Sequence, residues 1–539
     1  MEPQCSISQD QSRSVSPELS VKFLPQGIQS FSTIITEGKH YVDKTQLIYQ
    51  LVTNYTGCFL SRPRRFGKTL TLNTIHCLFQ GRRDLFDGLL VQKHGHWNWD
   101  VKFPIIRLNL ARGGYSTFIR FENSIRSQLR QSRSDLCLKP VCDTSASIDD
   151  LFLQLLDDVY SKYQQPLVVL IDEYDSPILN NLNNSELAEQ ILRELRDFYG
   201  CLKNCSVPLR FVFLTGITQF DKSDMFSGLN QLVDISLHPS YATLCGFTEN
   251  EVKTVFQAFL SGLNFEEIKK WYNGYRWGDE RVSAVYNPFS LLQYFDQRAY
   301  RPYWYETGQP SFLVTLITTR GVSFASLATQ CNSSELTSLK LSKMSIPALM
   351  YQCGYLTITK VDHSHEKPIY YLDYPNLEVR SCLHEEILRD FYMSPCGSNV
   401  LLNHLETTNF NEMLEHFKSL FASIPHQWFS NNRIADFEAF YSSVFFSHFA
   451  ACPVTVIGED TTNHGRIDMT VLYKDLCFIF QFKVVECAPS GNALSQIKHK
   501  KYAEKYLSSY KRIHLIGVEF SKKERQIVTF DVESLPVFK

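Results

Sequence analysis

The sequence predicts an α/β protein in which a parallel-sheet domain, a helical middle region and a smaller α/β domain follow one another along the chain. In the first half, short β-rich runs alternate with helical patterns, which is typical of βαβ units and a parallel sheet. From residue 246 onward the pattern is mainly helical. From about residue 430 a helix is followed by two strands, a Lys-rich helix and a final strand near Ile513–Phe520.

Length and composition indicate several folded domains and exclude some classes of protein. The chain has 539 residues, of which 44% are hydrophobic and 20% charged, and its formal net charge is -2. That charge gives the whole molecule no attraction for nucleic acid, so a polyanion would have to bind a local basic surface. The 15 cysteines are scattered without the CxxC spacing of a zinc site, and no apolar run is long enough for a membrane span. We therefore expect an intracellular protein, cytoplasmic or nuclear, with reduced thiols and no membrane contact.

The same patterns predict the strands of the first domain and the limits of each unit. The predicted strands are Gly57–Leu60, Pro104–Leu110, Leu167–Ile171 and Leu209–Thr215. Their apolar residues do not alternate with polar ones, as expected for strands buried on both faces. Thr248 and Glu251 form a capping-box pattern at the start of a helix. The predicted units are a disordered tail at 1–20, the sheet domain at 21–245, a helical connector or lid at 246–400 and a C-terminal domain at 401–539.

A phosphate-binding loop is predicted between the first strand and the helix that follows it. The segment from Cys58 to Thr69 runs from a strand through a basic loop into a helix. Within it, Gly67 allows close backbone approach, Lys68 can reach the β- and γ-phosphates, and the Thr69 hydroxyl can bind Mg²⁺. Arg62 stands where the usual P-loop pattern has its first glycine.

Two further strand ends supply groups for nucleotide chemistry. Asp172 and Glu173 follow the apolar run Leu167–Ile171. We expect Asp172 to hold Mg²⁺ through water and Glu173 to polarise the attacking water; the alternative is a strand that ends in two solvated acids. Thr218 follows a later strand and is a candidate sensor of the γ-phosphate, although threonine at a strand end is often only a turn residue.

These motifs resemble the hallmark strings of the AAA-ATPase-like family that carries C-terminal nuclease-like domains. The strings are Tyr41–Thr45, Arg62–Thr69, Leu170–Asp175, Trp271–Tyr275 and Tyr286–Ser290. The resemblance implies an AAA-like P-loop NTPase sheet, a loop that takes the Walker A role, and ATP and Mg²⁺ as cofactors. The nucleotide-binding residues are then Arg62, Pro63, Arg64, Arg65, Phe66, Gly67, Lys68, Thr69, Asp172 and Thr218.

In the C-terminal domain, two predicted strands meet at a tight turn and bring three polar side chains together. If Lys474 and Asp475 form a two-residue loop, the antiparallel register pairs Asp468 with Gln481, with Cβ atoms about 5 Å apart. Lys483 returns to the same face because side chains alternate along a strand. A metal-dependent nuclease needs such an arrangement, with acidic residues that bind Mg²⁺ beside a lysine that stabilises charge on a phosphate.

This segment also resembles the PD-(D/E)XK nuclease-like domain that accompanies the ATPase family. Gly465–Asp468 and Ala493–Ile497 match recurring strings of that domain. The implied site residues are Asp468, Gln481, Lys483 and Glu438, with Glu459 as a second candidate for the upstream acid. Gln481 stands where the family pattern has glutamate, which removes one negative charge and is expected to weaken Mg²⁺ binding.

Nucleic acid is the predicted partner of the C-terminal domain, with DNA favoured over RNA. Lys498, Lys501 and Lys505 fall at i, i+3 and i+7 of a predicted helix. Such a basic stripe can follow a phosphate backbone, although a solvated helix face is an equal alternative. The sequence leaves a homo-oligomer open.

Three functions agree with these residues to different degrees. The main prediction is an ATP-binding, ATP-hydrolysing protein whose nucleotide state governs a metal-dependent nuclease. The alternative, supported by Gln481, is a non-cleaving regulatory ATPase whose nuclease fold binds nucleic acid or protein. A purely structural protein would require the P-loop pattern to arise by accident. The predicted catalytic residues are Glu173, Glu438, Asp468, Gln481 and Lys483, and the predicted metal ligands are Thr69, Asp172, Asp468 and Gln481.

Overall fold

The computed structural model describes most of the chain. The described residues are 22–141, 145–220, 225, 232–308, 330–340, 345–392, 398–423, 438–486, 489 and 491–536. The predicted disordered tail at residues 1–20 lies outside them. In this part of the chain, no helix is both long enough and apolar enough to cross a membrane.

The N-terminal domain is built on a five-stranded parallel sheet. Its strands are β1 (Gly57–Ser61), β2 (Ile105–Asn109), β3 (Leu167–Asp172), β4 (Leu209–Gly216) and β5 (Val233–Asp234). They lie in the order β2-β3-β4-β1-β5, with every neighbouring pair parallel, so the four predicted strands are confirmed. β1 and β3 are buried along their whole length, as expected for a sheet covered on both faces. Because the strands are parallel, the segments after β1, β3 and β4 leave the same edge of the sheet.

Helices connect these strands. They are α1 (Phe31–Thr36), α2 (Thr45–Asn54), α3 (Lys68–Phe79), α4 (Leu90–His94), α5 (Phe118–Asp135), α6 (Ile148–Tyr163), α7 (Ser176–Leu179) and α8 (Ser185–Asn204). Thr117, Ser147 and Asn184 each accept a hydrogen bond from the first turn of α5, α6 and α8, respectively. α3 begins differently, at Gly67, which has no side chain to accept such a bond and a left-handed φ of 97° that favours glycine. The first N–H groups of α3 therefore stay available to a ligand.

The middle region is mainly helical, as predicted, and its described residues also form two small sheets. Its helices are α9 (Glu249–Val255), α10 (Phe265–Tyr272), α11 (Pro288–Gln297), α12 (Tyr303–Gly308), α13 (Ser333–Leu336), α14 (Ile346–Cys353) and α15 (Leu377–Tyr392). Its strands are β6 (Phe247–Thr248), β7 (Val285–Tyr286), β8 (Gln330–Asn332), β9 (Thr357–Asp362) and β10 (Ile369–Asp373). β6 pairs with β7, and β10 lies between β8 and β9.

The predicted capping box is confirmed at the start of α9. The Thr248 hydroxyl accepts a hydrogen bond from the Glu251 N–H, and the Glu251 carboxylate accepts one from the Thr248 N–H. Glu251 has a second partner, because the Lys44 ammonium donates to both of its carboxylate oxygens, at 2.6 and 2.7 Å. This ion pair connects the start of α2 to the middle region.

The C-terminal region combines a five-stranded mixed sheet with helices. The helices are α16 (Ser398–Thr407), α17 (Phe410–Ala422), α18 (Glu438–Ala450) and α19 (Asn492–His499), and the strands are β11 (Thr455–Thr462), β12 (Gly465–Tyr473), β13 (Leu476–Val485), β14 (Arg512–Ser521) and β15 (Gln526–Pro536). The sheet runs in this numerical order and is antiparallel except between β13 and β14. Phe445 and Phe449 of α18 pack against Phe482 and Phe480 on one face. α19 packs on β13 and β14 from the other face.

Two expectations about this region were incomplete or wrong. The strand predicted near Ile513–Phe520 is β14, but it is not the last, because β15 pairs with it along its length. The Lys-rich helix is shorter than predicted, since α19 ends at His499 and Lys501 adopts a left-handed φ of 51° before a short 3-10 turn.

The predicted stripe of three lysines is therefore not the face of one helix. Lys498 is paired with Glu533 at 2.7 Å, and the Lys505 ammonium is paired with the largely buried Asp460. Lys501 lies 3.7 Å from Glu504. Acidic partners thus offset these charges, so this segment does not form the predicted continuous basic surface.

Candidate functional site

The loop between β1 and α3 folds around the Lys68 ammonium. Its Nζ donates to the carbonyl oxygens of Arg62 and Pro63 at 3.0 and 3.2 Å and lies 3.1 Å from the Glu173 carboxylate. At Gly67, the position that a Cβ would occupy has no atom within 4 Å in the described part of the chain beyond its own neighbours, which leaves open space in front of the loop. An ammonium and the N-terminus of α3 thus border one space, which is the arrangement that binds phosphates.

The predicted metal ligands of the loop and of β3 are in contact. The Thr69 hydroxyl donates to Asp172 Oδ2 at 2.8 Å, and the Thr215 hydroxyl donates to Oδ1 at 2.6 Å. Asp172 is fully buried, so both of its oxygens are fixed by hydroxyl groups. Hydroxyl and carboxylate oxygens are the donors that Mg²⁺ prefers beside a phosphate. Thr215 was missed from the sequence; its signal is its place at the end of β4, next to β3.

Glu173 and Asp175 have different environments. Glu173 has a φ of 53°, a left-handed conformation that is uncommon outside glycine and clusters at functional sites. Asp175 is buried and accepts hydrogen bonds from the N–H groups of Ile217 and Thr218 and from the Thr218 hydroxyl. Burial, with the nearby Glu173 charge, raises the pKa of Asp175 to about 6. Through its hydrogen bonds to Ile217 and Thr218, Asp175 fixes the backbone that follows β4.

A cavity of about 470 Å³ lies beside the loop. Its lining includes residues of the loop and of the β3 end, namely Arg64, Arg65, Phe66, Gly67, Lys68, Thr69, Asp172 and Glu173. It also includes apolar and aromatic side chains, namely Ile28, Tyr41, Val42, Phe247, Phe289 and Leu292. Its volume and its mixed polar and apolar lining suit a nucleotide. The predicted residues Arg62, Pro63 and Thr218 are buried and are not among the described residues that line it.

Arg62 supports the loop from behind. Its Nη1 donates to the carbonyl oxygens of Ser61 and Ser236, each at 2.8 Å, and its guanidinium lies 4.3 Å from the centroid of the Trp277 ring. The neighbouring Phe66 is buried edge-on against the same ring. Burial lowers the pKa of Arg62, yet a guanidinium stays charged in proteins. The residue that replaces the usual glycine is therefore part of the core.

The middle region also holds the outer side of this loop. Trp304 of α12 donates its indole N–H to the Arg64 carbonyl oxygen at 3.0 Å. Gly354 lies against the ring of Pro63, where an added Cβ would come within 2.7 Å of Cγ. These contacts explain why the loop keeps its shape without the glycine of the usual pattern.

α15 connects this loop to the C-terminal region. Glu378 accepts hydrogen bonds from the Trp304 backbone N–H at 2.7 Å and from the Ser290 hydroxyl at 2.9 Å. Burial raises the pKa of Glu378 to about 8. Further along the same helix, Arg380 donates to the Val454 carbonyl oxygen. α15 thus touches both the support of the P-loop and the residue that precedes β11.

The hairpin register predicted for β12 and β13 is confirmed. Lys474 and Asp475 form the turn, Tyr473 pairs with Leu476, and the backbone pairing continues to Met469 and Phe480. At the next pair of residues, Asp468 and Gln481, the strands are joined through side chains. The Asp468 carboxylate accepts hydrogen bonds from the Gln481 amide and, at 2.7 Å, from the Phe482 N–H.

The C-terminal site brings some of its predicted residues together and leaves others apart. Gln481 is buried beside Asp468, and the half-buried Lys483 follows on the same face. Glu438 begins α18, which packs on the opposite face of the sheet; its side chain lies outside the described residues. Glu459 forms a surface ion pair with Arg466.

The fit of a metal ion to this site is partial. Among the described residues, no group of three His, Cys, Asp and Glu side chains comes together as a ligand set. However, the Gln481 Nε2 donates to the Asp468 carboxylate, and the buried Oε1 of the same amide has no hydrogen-bond partner among the described residues. An amide oxygen beside a carboxylate matches the preference of a hard cation for oxygen ligands.

The parallel sheet, the loop around Lys68 and the acidic pair after β3 define a P-loop protein of the AAA type, joined to a nuclease-type mixed sheet. Comparisons with known proteins agree. Residues 25–226 match a family model described as predicted AAA-ATPase, and residues 436–530 match one described as PD-(D/E)XK nuclease superfamily. A protein of Azotobacter chroococcum mcd 1, described as an uncharacterized protein in vnfD 5'region, is 44% identical over 524 residues, covering 96% of this chain and 100% of that protein.

The chain therefore belongs to the family of predicted AAA-ATPases that carry a C-terminal PD-(D/E)XK nuclease superfamily domain. Among solved structures, a chain from the structure of Drosophila ORC bound to AT-rich DNA and Cdc6 has 11% identity and a TM-score of 0.17, covering 66% of this chain and 91% of that one. A similarity this low carries no argument about fold or function.

Proposed function

We propose that the protein binds ATP with Mg²⁺ in the cavity beside Lys68, hydrolyses it, and uses this cycle to control a C-terminal domain that acts on nucleic acid. The observation that supports the proposal most is the convergence of Lys68, Thr69, Asp172 and Glu173 on one edge of the sheet. These four side chains and the open space at Gly67 suit a triphosphate with its cation.

Bound ATP would supply the phosphoanhydride bond, and the surrounding residues have distinct tasks. Lys68 exchanges its bonds to the Arg62 and Pro63 carbonyls for bonds to phosphate oxygens. The Thr69 hydroxyl and the Asp172 carboxylate would hold Mg²⁺, which would offset the charge of the phosphates. Glu173, released from its ion pair with Lys68, orients a water and accepts its proton.

Control of the C-terminal domain follows from the contacts of the middle region. The Trp304 indole N–H donates to the Arg64 carbonyl of the P-loop, and the Trp304 backbone N–H donates to the Glu378 carboxylate. Since Glu378 and Arg380 lie on one helix, a shift of the loop on nucleotide binding moves the contact of α15 with Val454.

We propose that the C-terminal domain acts on nucleic acid, with DNA as the first substrate to test. Its family assignment and the pairing of Asp468, Gln481 and Lys483 on one face support this role. A second candidate is a non-cleaving domain that only binds nucleic acid or protein. The observation in its favour is the neutral Gln481 amide, which occupies an Asp468 oxygen that a metal would need.

Nucleotide turnover is tested with two variants and a surface control. Lys68→Ala is expected to abolish ATP binding, and Glu173→Gln to keep binding but to slow turnover by about 100-fold or more. Lys253→Ala serves as the control, because Lys253 pairs with Glu249 on the exposed face of α9. ATPase activity that survives both site variants would contradict the assignment.

Nucleic-acid cleavage is tested on linear and circular DNA and on RNA, with Mg²⁺ or Mn²⁺, with and without ATP. Cleavage by the wild type that disappears in Lys483→Ala would support the nuclease. If the wild type does not cleave but Gln481→Glu does, the binding role is favoured. Cleavage that is equal with and without ATP would contradict the proposed control.

A further inference from the structure

The Gln481 amide leaves an unsatisfied oxygen in the C-terminal site. The residue is 1% exposed, its Nε2 donates to Asp468, and none of the residues that the structure describes donates to its Oε1. Burying an amide oxygen without a partner costs about 1–3 kcal/mol. This oxygen stands at a position where the family pattern has a carboxylate, so it is able to accept a ligand.

A buried carboxylate lies on the next strand, on the same face. Glu519 of β14 is paired in register with Lys483 of β13, and Gln481 is paired with Gly517. Side chains of residues paired in neighbouring strands point to the same face of a sheet. Glu519 therefore joins the face that carries Gln481 and Lys483. Glu519 is fully buried.

The start of α19 holds this carboxylate in place. Glu519 Oε1 accepts hydrogen bonds from the N–H groups of Asn492 and Ala493 at 2.8 and 3.3 Å. α19 can approach so closely because any side chain at Gly517 would overlap the Leu494 backbone. A helix N-terminus favours a negative charge, so the fold stabilises an anion at Glu519.

We propose that Glu519 supplies the negative charge that Gln481 lacks, so that the C-terminal domain binds a divalent cation with Asp468, the Gln481 amide oxygen and Glu519. This inference rests on the proposed metal-dependent role of the domain. It restores the two carboxylates of the family pattern, with the second one moved from β13 to β14. Carboxylate and amide oxygens are both ligands of Mg²⁺ and Mn²⁺.

The test measures Mn²⁺ binding to the full chain without nucleotide, by calorimetry and by the electron paramagnetic resonance signal of free Mn²⁺. Binding that is lost in Asp468→Asn defines the C-terminal site. Glu519→Gln, which keeps an oxygen to accept the two N–H bonds, is expected to weaken that binding about 10- to 100-fold. Glu533→Gln, which removes a more exposed carboxylate on β15, is the control and is expected to change nothing.

A double variant that moves the carboxylate from β14 back to β13 makes the test specific. In Gln481→Glu/Glu519→Gln the second carboxylate returns to the position of the family pattern, and Mn²⁺ affinity is expected to recover to within about threefold of the wild type. Unchanged affinity in Glu519→Gln, or no recovery in the double variant, would overturn the role of Glu519 while the Asp468 site stands. Wild-type protein without Asp468-dependent binding would overturn both this inference and the proposed metal site.

Discussion

The indole N–H of Trp304 donates a 3.0 Å hydrogen bond to the backbone carbonyl of Arg64, which joins the middle region to the loop that wraps Lys68. This bond depends on neither the charge nor the identity of the Arg64 side chain. It fixes the path of the main chain two residues after Arg62, which stands where the usual P-loop pattern has its first glycine. The following predictions test this support and its neighbours.

Trp304→Phe should weaken ATP binding while leaving the fold intact. The change keeps an aromatic ring in the core but removes the N–H, and one neutral hydrogen bond contributes about 1 kcal/mol, or roughly fivefold in affinity. Calorimetric titration with ATP measures the effect. Trp271→Phe is the matched control, because its indole N–H binds Glu267 within α10. Equal affinities of the two variants would contradict the support role.

Gly354→Ala should disturb the P-loop from outside. Gly354 has a φ of 91°, and its new Cβ would press on the Pro63 ring. We expect a loss of about 1–2 kcal/mol of stability from the backbone strain and an additional loss of ATP affinity from the contact. Gly262→Ala separates the strain from the contact, since Gly262 has a φ of 74° and no described residue comes within 4 Å of its Cβ position apart from its chain neighbours. It should show the strain alone, by thermal unfolding, with unchanged ATP affinity.

Arg62→Ala should lower the stability of the fold, and any loss of nucleotide affinity should follow from that. It leaves the Ser61 and Ser236 carbonyls without their donor and removes the cation that packs on Trp277. We expect a loss of about 3 kcal/mol in urea unfolding. Arg62→Gly, which recreates the usual P-loop glycine, should be at least as destabilised. A stable Arg62→Ala protein that had lost only its ATP affinity would instead make Arg62 a ligand contact.

Glu378 should make stability depend on pH. Its pKa is raised from 4.5 to about 8, so the folded state keeps a proton that the unfolded state releases above pH 4.5. The free energy of unfolding therefore falls as pH rises from about 4.5 to about 8, by on the order of 2–3 kcal/mol between pH 5.5 and 7.5.

Glu378→Gln removes this titration and preserves an acceptor for the Trp304 N–H. Urea unfolding at pH 5.5 and pH 7.5 should show a smaller pH effect in the variant than in the wild type. Glu415→Gln is the control, because Glu415 is exposed and pairs with Lys418 on α17. The same pH dependence in wild type and Glu378→Gln would show that the proton resides elsewhere.

Local rules predicted much of this protein. The two-residue turn at Lys474 and Asp475 sets the register of its hairpin, and the alternation of side chains does the rest. The Asp172 and Glu173 pair was likewise found because an apolar run ends there. In both places, neighbours in sequence decide the structure.

The contacts that could not be predicted from the sequence join residues that are distant along the chain. Glu519 lies beside Lys483 because β14 pairs in parallel with β13, and α19 connects the two strands. The sequence does not indicate the register of this pairing. The contact of the Arg62 guanidinium with Trp277 could not be predicted, because Trp277 belongs to another region of the chain. The break after α19 carries no glycine or proline signal, because Lys501 itself takes the left-handed conformation.

The support of the P-loop by later parts of the chain has a consequence for biosynthesis. Lys68 and its loop leave the ribosome well before Trp277, Trp304 and Gly354 have been translated. Until these residues fold back, the Arg62 guanidinium lacks its aromatic cover and the Arg64 carbonyl lacks its donor. The nascent N-terminal domain therefore cannot complete the cavity beside Lys68, and the growing chain acquires that ability only after most of the middle region has emerged.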